Sequence, residues 1–198
     1  MKRLLLAAFA AFLLAPRLTG AENLIENGEM RDGSPPIGFK LEDTPLAAVE
    51  TFKGNPLPAD KAFTGAACLK FTFRQPISNS KGFRLNQKIA VDPSKNWRFR
   101  AKVYVPDALD LLLAGRAHNL EFTGKQAIQV DGKPWVYQCA VKGPTDGWRE
   151  VECLLPAAGS GEKGAMPAGL GWVDFGFAIS AREPGVAYVG DLVMEPVK

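Results

Sequence analysis

The sequence predicts an all-β protein, a sandwich of two antiparallel sheets, and three observations carry that expectation. Short segments alternate apolar and polar residues with a period of two, the mark of strands with one buried and one wet face. Twenty Gly and fifteen Pro are spread along the whole length, as suits many strands separated by turns. No long amphipathic helix follows residue 21.

The N-terminus sets the compartment. Lys2 and Arg3 precede an apolar run from Leu4 to Ala15, too short to span a bilayer, and Thr19 and Ala21 supply small residues at the spacing a signal peptidase reads. The run has no polar face, as a packed helix would. Residues 1–21 are therefore expected to be a signal peptide, and residues 22–198 a single sandwich domain, secreted or periplasmic. The 24 Lys and Arg stand against 21 Asp and Glu; Lys2, Arg3 and Arg17 belong to the signal, which leaves 21 of each sign. A mature chain of zero net charge has no electrostatic footprint for nucleic acid or an anionic membrane. No later segment approaches the ~20 apolar residues of a membrane helix, so membrane insertion is not expected.

Along the chain, Asn23 to Thr64 is broken by Ser34-Pro35-Pro36, Asn55-Pro56 and Leu57-Pro58, and reads as a wrapping segment with few strands. Leu69, Phe71 and Phe73 share one strand face. Leu85, Gln87, Ile89 and Val91 share another, with Arg84, Asn86 and Lys88 opposite. Trp97 to Val105 alternates until Pro106 ends it. Leu109 to Leu113 reads as a buried strand. Ile128–Val130 and Trp135–Val141 flank the turn signal Asp131-Gly132-Lys133-Pro134. Trp148–Leu155, Val173–Ile179 and Tyr188–Glu195 complete eight main strands, enough for two sheets.

Three cysteines lack CxxC spacing and one histidine offers no partner cluster, which argues against zinc. Cys139 and Cys153 share inward parity on strands joined by a connection expected to cross between the sheets. They are the pair to bridge if any does, and three reduced thiols remain the alternative. Cys68 alternates away from Leu69 and Phe71 and is expected to point outward.

The order of motifs resembles the galactose-binding-like jelly rolls, especially carbohydrate-binding modules of the family four, nine and twenty-two type. Asn23-Leu24-Ile25-Glu26-Asn27-Gly28-Glu29-Met30 is similar to their opening "N-L-x-x-N-G-x-F", and Gly65 to Phe71 to their "G-x-x-S-L-K-F" strand. Gln87-Lys88-Ile89-Ala90-Val91 followed by Trp97-Arg98-Phe99 resembles "Q-x-I-x-V … Y-x-F". Gly147-Trp148-Arg149-Glu150-Val151 resembles "G-W-x-x-V", and Tyr188-Val189-Gly190-Asp191-Leu192 the closing "Y-x-D-D-V". The resemblance implies a jelly-roll sandwich. One sheet would hold the strands around Leu69, Phe99, Val151 and Leu192, the other those around Leu85, Leu111, Tyr137 and Phe177. The second sheet, commonly concave in the family, would carry the glycan. The resemblance also implies a structural calcium near the opening motif and the closing Asp, with Asp191, Glu29 and Asp32 as the ligands on offer. Arg31 and Gly190 depart from that pattern, so an Arg31–Asp191 ion pair stands as the alternative to the metal.

No catalytic set is found. His118 reads as a loop or surface residue rather than a base, and no nucleophile–base–acid constellation surrounds it in sequence. The paired carboxylates of a glycosidase have only scattered candidates, Glu121, Glu152, Asp174 and Asp191. Sugar binding instead needs flat rings for the apolar faces of a pyranose and planar polar groups for its hydroxyls. Trp172 and Trp135 are the aromatic candidates, because Trp97 and Trp148 occupy motif positions the family uses for packing. Arg84, Asn86, Lys88 and Gln138 would face outward on the second sheet. Trp135 has a competing reading as a core residue, sharing parity with Tyr137 and Val141, and Trp172 is expected at a loop tip. The expectation is a secreted, non-catalytic module that binds an oligosaccharide or polysaccharide on the concave sheet. The alternative is a structural or protein-interaction sandwich of the bacterial envelope without a sugar site.

Overall fold

The computed structural model describes residues 23–32, 42–58, 63, 65–84, 87–119, 127–156 and 166–197, with only the backbone path for 78–84. The proposed signal segment, Leu85, Asn86 and Glu121 lie outside the described residues, as does the side chain of Arg84.

Fourteen strands form among the described residues. They are β1 (Glu42–Asp43), β2 (Ala47–Lys53), β3 (Ala67–Phe73), β4 (Ile77–Arg84), β5 (Ile89–Ala90), β6 (Trp97–Tyr104) and β7 (Leu109–Asn119), then β8 (Gln129–Val130), β9 (Lys133–Pro134), β10 (Val136–Lys142), β11 (Arg149–Leu155), β12 (Leu170–Val173), β13 (Gly176–Ala181) and β14 (Gly185–Pro196). The first sheet runs β1-β2-β3-β14-β6-β11; the second runs β4-β13-β7-β12-β5, with β10 also on β7. Both are antiparallel and pack as a jelly-roll-type sandwich. Leu69, Phe99, Val151 and Leu192 fall in the first sheet and Leu111, Tyr137 and Phe177 in the second, as the sequence led us to expect.

Alternation is what fills the core. In β6 every second residue from Trp97 to Val103 is buried, and in β7 Leu109, Leu111, Leu113 and Ala117 are. The sheets meet through rings: Phe71 lies 4.9 Å from Phe177 and Phe99 4.1 Å from Phe175, centroid to centroid. Cys139 on β10 and Cys153 on β11 are joined by a disulfide, their Cα atoms 5.5 Å apart, so a covalent bond ties the second sheet to the first. Between β8 and β9, Asp131 and Gly132 both take positive φ, the geometry a two-residue hairpin turn demands.

The opening motif closes the fold. The Asn23 side chain donates to the Leu192 carbonyl at 2.9 Å and accepts from the Met194 amide at 2.9 Å. It thereby braces β14 where the pairing with β6 shifts register between Gly190 and Val193. Gly28 is needed here, because a Cβ on it would sit 2.0 Å from the Leu192 oxygen.

Three expectations are corrected. The stretch before Thr64 does more than wrap: β2 pairs with β3 along its whole length and extends the first sheet. Ala47, Ala48 and Val49 are all buried there, so small apolar residues on both faces hide the alternation. Cys68 does not reach solvent. It lies on the side away from Leu69, but Phe63 and Trp148 cover that side and leave it fully buried. Burial, and secondarily the charge of Asp191, push its thiol pKa up to about 12. The apolar face read for 85–91 does not belong to one strand. β4 ends at Arg84, β5 begins at Ile89, and the register against β13 and β12 shifts by two residues between Arg84↔Gly176 and Ile89↔Val173.

Candidate functional site

The outer face of the second sheet is the candidate site. β12 and β13 keep one register against β7, from Trp172↔His118 through Val173↔Ala117 to Ile179↔Leu111, so residues 172–181 act as one strand interrupted at Asp174 and Phe175. Parity then decides the faces. Phe175, Phe177 and Ile179 turn into the core, as expected, and Trp172, Asp174, Gly176 and Ala178 belong to the other side. β7 contributes Asp110, Leu112, Ala114, Arg116 and His118 to that face; β10 contributes Val136, Gln138, Ala140 and Lys142. Between the polar ends Gly176, Ala178, Ala114 and Ala140 are small, and the half-buried Leu112 stands between Ala178 and Ala140.

At one end the side chains form a tight stack. The Trp172 and His118 rings lie nearly parallel, 3.9 Å apart, and the Lys88 ammonium sits over the Trp172 ring at 5.1 Å from its centroid. Two groups cannot share one ring face at those distances, so Lys88 covers the face His118 leaves. Asp174 fixes the stack from behind. One of its carboxylate oxygens accepts from the Arg116 amide at 2.7 Å and the other lies 3.2 Å from His118 Nε2. Its carbonyl accepts from the Tyr137 hydroxyl at 2.8 Å, and its amide donates to the Arg116 carbonyl. Gly115 permits this approach, since a Cβ there would lie 2.2 Å from both the Asp174 carbonyl and the Tyr137 ring. His118 is 2% exposed. Stacking on this buried imidazole holds the Trp172 ring in one orientation.

At the other end of the sheet, where β7 and β4 begin, an open cleft of about 690 Å³ is lined by Asp110, Lys142, Ser180 and Arg182, with Pro76 and Ile77 at its wall.

The expected site residues divide accordingly. Lys88 and Trp172 come together directly, and Gln138 is exposed on the same face, across from Ala114. The Arg84 backbone pairs with Gly176 beside them. Trp135 is a core residue, 8% exposed, as its parity with Tyr137 allowed, and offers no ring to a ligand. Trp172 is not at a loop tip: the turn ends at Gly169, and Leu170 already begins β12. His118 is neither loop nor surface, because β7 continues past Leu113 to Asn119. Sequence reasoning missed the joint role of Arg116, His118 and Asp174. Matching i, i+2 pairs, Arg116/His118 and Trp172/Asp174, were visible, but only the cross-strand register brings them together.

The residues offered for calcium do not assemble. Glu29 is paired with Arg31, both side chains more than half exposed. Asp32 lies in the turn closed by Asn27, whose side-chain Nδ2 donates to the Asp32 carbonyl at 2.7 Å. Asp191 belongs to the irregular stretch of β14 beside Gly65 and Cys68. Among the described residues no three His, Cys, Asp or Glu side chains converge to hold a metal.

No protein-family model matches the sequence, and no curated protein matches it. Solved structures do share the fold. The carbohydrate-binding module TmCBM61, solved with β-1,4-galactotriose, aligns with a TM-score of 0.51 at 13% identity, over 89% of this chain and 100% of that one. A structure from a study of promiscuous specificity in carbohydrate-binding modules of the β-sandwich superfamily gives 0.50 at 16%, over 89% of this chain and 63% of that one. The enzymatically active domain of tailspike protein 4 from bacteriophage CBA120 gives 0.55 at 15%, over 88% of this chain but only 21% of that one. At such identities the likeness establishes the fold, a β-sandwich of the carbohydrate-binding-module kind. The chain matches the whole of one binding module and about a fifth of the enzyme.

Proposed function

We propose that the protein is a non-catalytic glycan-binding module that holds an oligosaccharide or polysaccharide along the outer face of the second sheet. The observation that carries this reading is the Trp172 platform at the end of a strip of mostly small residues, Gly and Ala around Leu112. The ring is backed by His118, which Asp174 holds in turn, so it is fixed in place before any ligand arrives. Lys88 is a flexible, exposed side chain and can swing off the ring to admit a sugar while keeping its ammonium beside the hydroxyls. Gln138 supplies an exposed planar amide on the same face. The match to a complete carbohydrate-binding module adds support. Export completes the reading, with a mature chain that begins near Glu22, which intact-mass measurement of the native protein tests.

A second reading keeps the fold as a structural or protein-interaction sandwich. It is favoured by the burial of Trp135 and by the coverage of both Trp172 faces. Glycan-array binding of the mature chain separates the two. Truncating a true hot spot typically costs ~2 kcal/mol or more, about thirtyfold in affinity. Trp172→Ala is therefore expected to abolish array binding, and Gln138→Ala, at an exposed position, to weaken it without moving the melting temperature. An array on which the wild-type chain binds nothing gives the field to the second reading.

A further inference from the structure

We propose that the glycan is acidic, and that Lys88, Arg116, Lys142 and Arg182 pair its carboxylate or sulfate groups; this rests on the glycan-binding reading above. The two outer faces of the sandwich treat their cations in opposite ways. On the first sheet, Arg98 and Arg100 both reach Glu195, at 2.6 and 3.0 Å, Lys102 and Arg100 reach Glu150, and Lys70 reaches Glu50. That face is internally neutralised. On the second sheet, none of the four cations has a carboxylate partner among the described residues. The acids described on that face are Asp110 and Asp174, and Asp174 is engaged by the Arg116 amide and His118. The face therefore carries a cationic surplus although the mature chain as a whole is balanced.

The placement of the four suits a linear ligand. Lys88 stands at the aromatic end, over Trp172, and Arg116 belongs to the same end of β7. Lys142 and Arg182 line the cleft at the other end, where Lys142 pairs in register with Asp110. Arg116 and Asp110 are six residues apart on β7, so the two ends are separated by roughly 20 Å at ~3.4 Å per residue. Between them lies an apolar strip of mostly small residues, Gly176, Ala178, Ala114 and Ala140 around Leu112. A polysaccharide with anionic groups repeated along its length would meet a cation at each end, and guanidinium groups bind such oxyanions in a two-point fork. A neutral glycan would offer these four groups only hydroxyl oxygens, which accept weaker hydrogen bonds than an oxyanion does.

The test is affinity electrophoresis and calorimetry of the mature chain against pectate, dextran sulfate, a neutral galactan and polyglutamate. The expected result is that pectate or dextran sulfate binds about tenfold more tightly than the galactan, with affinity that falls as salt rises. Which of the two wins identifies the anionic group. Lys142→Gln combined with Arg182→Gln alters only exposed side chains. It is expected to lower affinity for the acidic glycan about tenfold and to flatten its salt dependence, with the melting temperature unchanged. Three results overturn the proposal: equal affinity for the galactan, equal affinity for polyglutamate, or an unaltered affinity of the double variant for the preferred acidic glycan. Binding of neutral glycans alone sinks this inference and leaves the glycan-binding reading standing. Binding of no glycan removes both.

Discussion

Reducing the Cys139–Cys153 bond isolates the contribution of a single cross-link. The bridge closes a loop of 14 residues. In the chain-entropy account, a loop of that length removes about 3 kcal/mol of freedom from the unfolded chain. For a domain of this size each kcal/mol moves the melting temperature by about 2–4 °C, so reduction should lower it by about 6–12 °C. Reduction is a better perturbation than substitution, because both sulfurs stay in place and no cavity opens. Replacement of both cysteines by Ala should cost somewhat more, since Cys153 is 3% exposed and its sulfur packs in the core. The assay is a thermal melt followed by circular dichroism with and without a phosphine reductant, alongside non-reducing peptide mapping. Melting curves that coincide within about 2 °C would refute the cross-link argument, and a map that places Cys68 in a bridge would refute the strand parities behind it.

Other perturbations probe the rest of the molecule. Gly115→Ala should cost about 1–3 kcal/mol and weaken ligand binding as well, because the new Cβ displaces Tyr137 and Asp174 together; differential calorimetry checks the first effect. Glu195 is driven up by burial, but the hydrogen bonds and charges of Arg98 and Arg100 outweigh this and hold its carboxyl below the usual range. Its contribution is therefore complete above the unfolded carboxylate pKa and fades as pH falls through the lower folded value. Glu195→Gln should lower stability at neutral pH and flatten the acid limb of a pH–denaturation series. Cys68, buried and with its thiol pushed up to about 12, should resist a thiol reagent at pH 8 in the native state and react once the chain is denatured.

Much of the fold was legible because alternation is a local signal. The parities of β3, β6, β11 and β13 can be read from single segments, and the inward parity of Cys139 and Cys153 follows in the same way. Assignment of strands to sheets came from the family-like order of motifs, not from periodicity. What stayed hidden depends on partners distant in sequence. β2 lacks a polar face because its first three residues are all covered. The outward side of β3 looks wet until Phe63 and Trp148 are placed on it. His118 and Trp172 stack only because residues 54 positions apart come into register on β7 and β12. Parity tells which side of a strand a residue takes; it does not tell what lies across from it or above it. Hence Lys88, Gln138 and Trp172 were within reach of sequence reasoning, whereas the Asp174 anchor was not.

The position of β14 has a consequence for how the chain is made. It lies between β3 and β6, yet it is the latest of all the strands to be synthesised. Until residues 185–196 exist, β2 and β3 on one side and β6 and β11 on the other are two separate half-sheets, each with a bare inner edge. The Asn23 brace has nothing to hold at that stage. The first sheet therefore cannot assemble progressively from its N-terminal end during synthesis; it closes in one late step that joins β14 to segments from 84 residues away, at Tyr188↔Tyr104, to 171 residues away, at Asn23. A chain wired this way folds slowly for its size and exposes two strand edges while it waits, which makes the emerging polypeptide, rather than the finished sandwich, the form most in need of protection from aggregation.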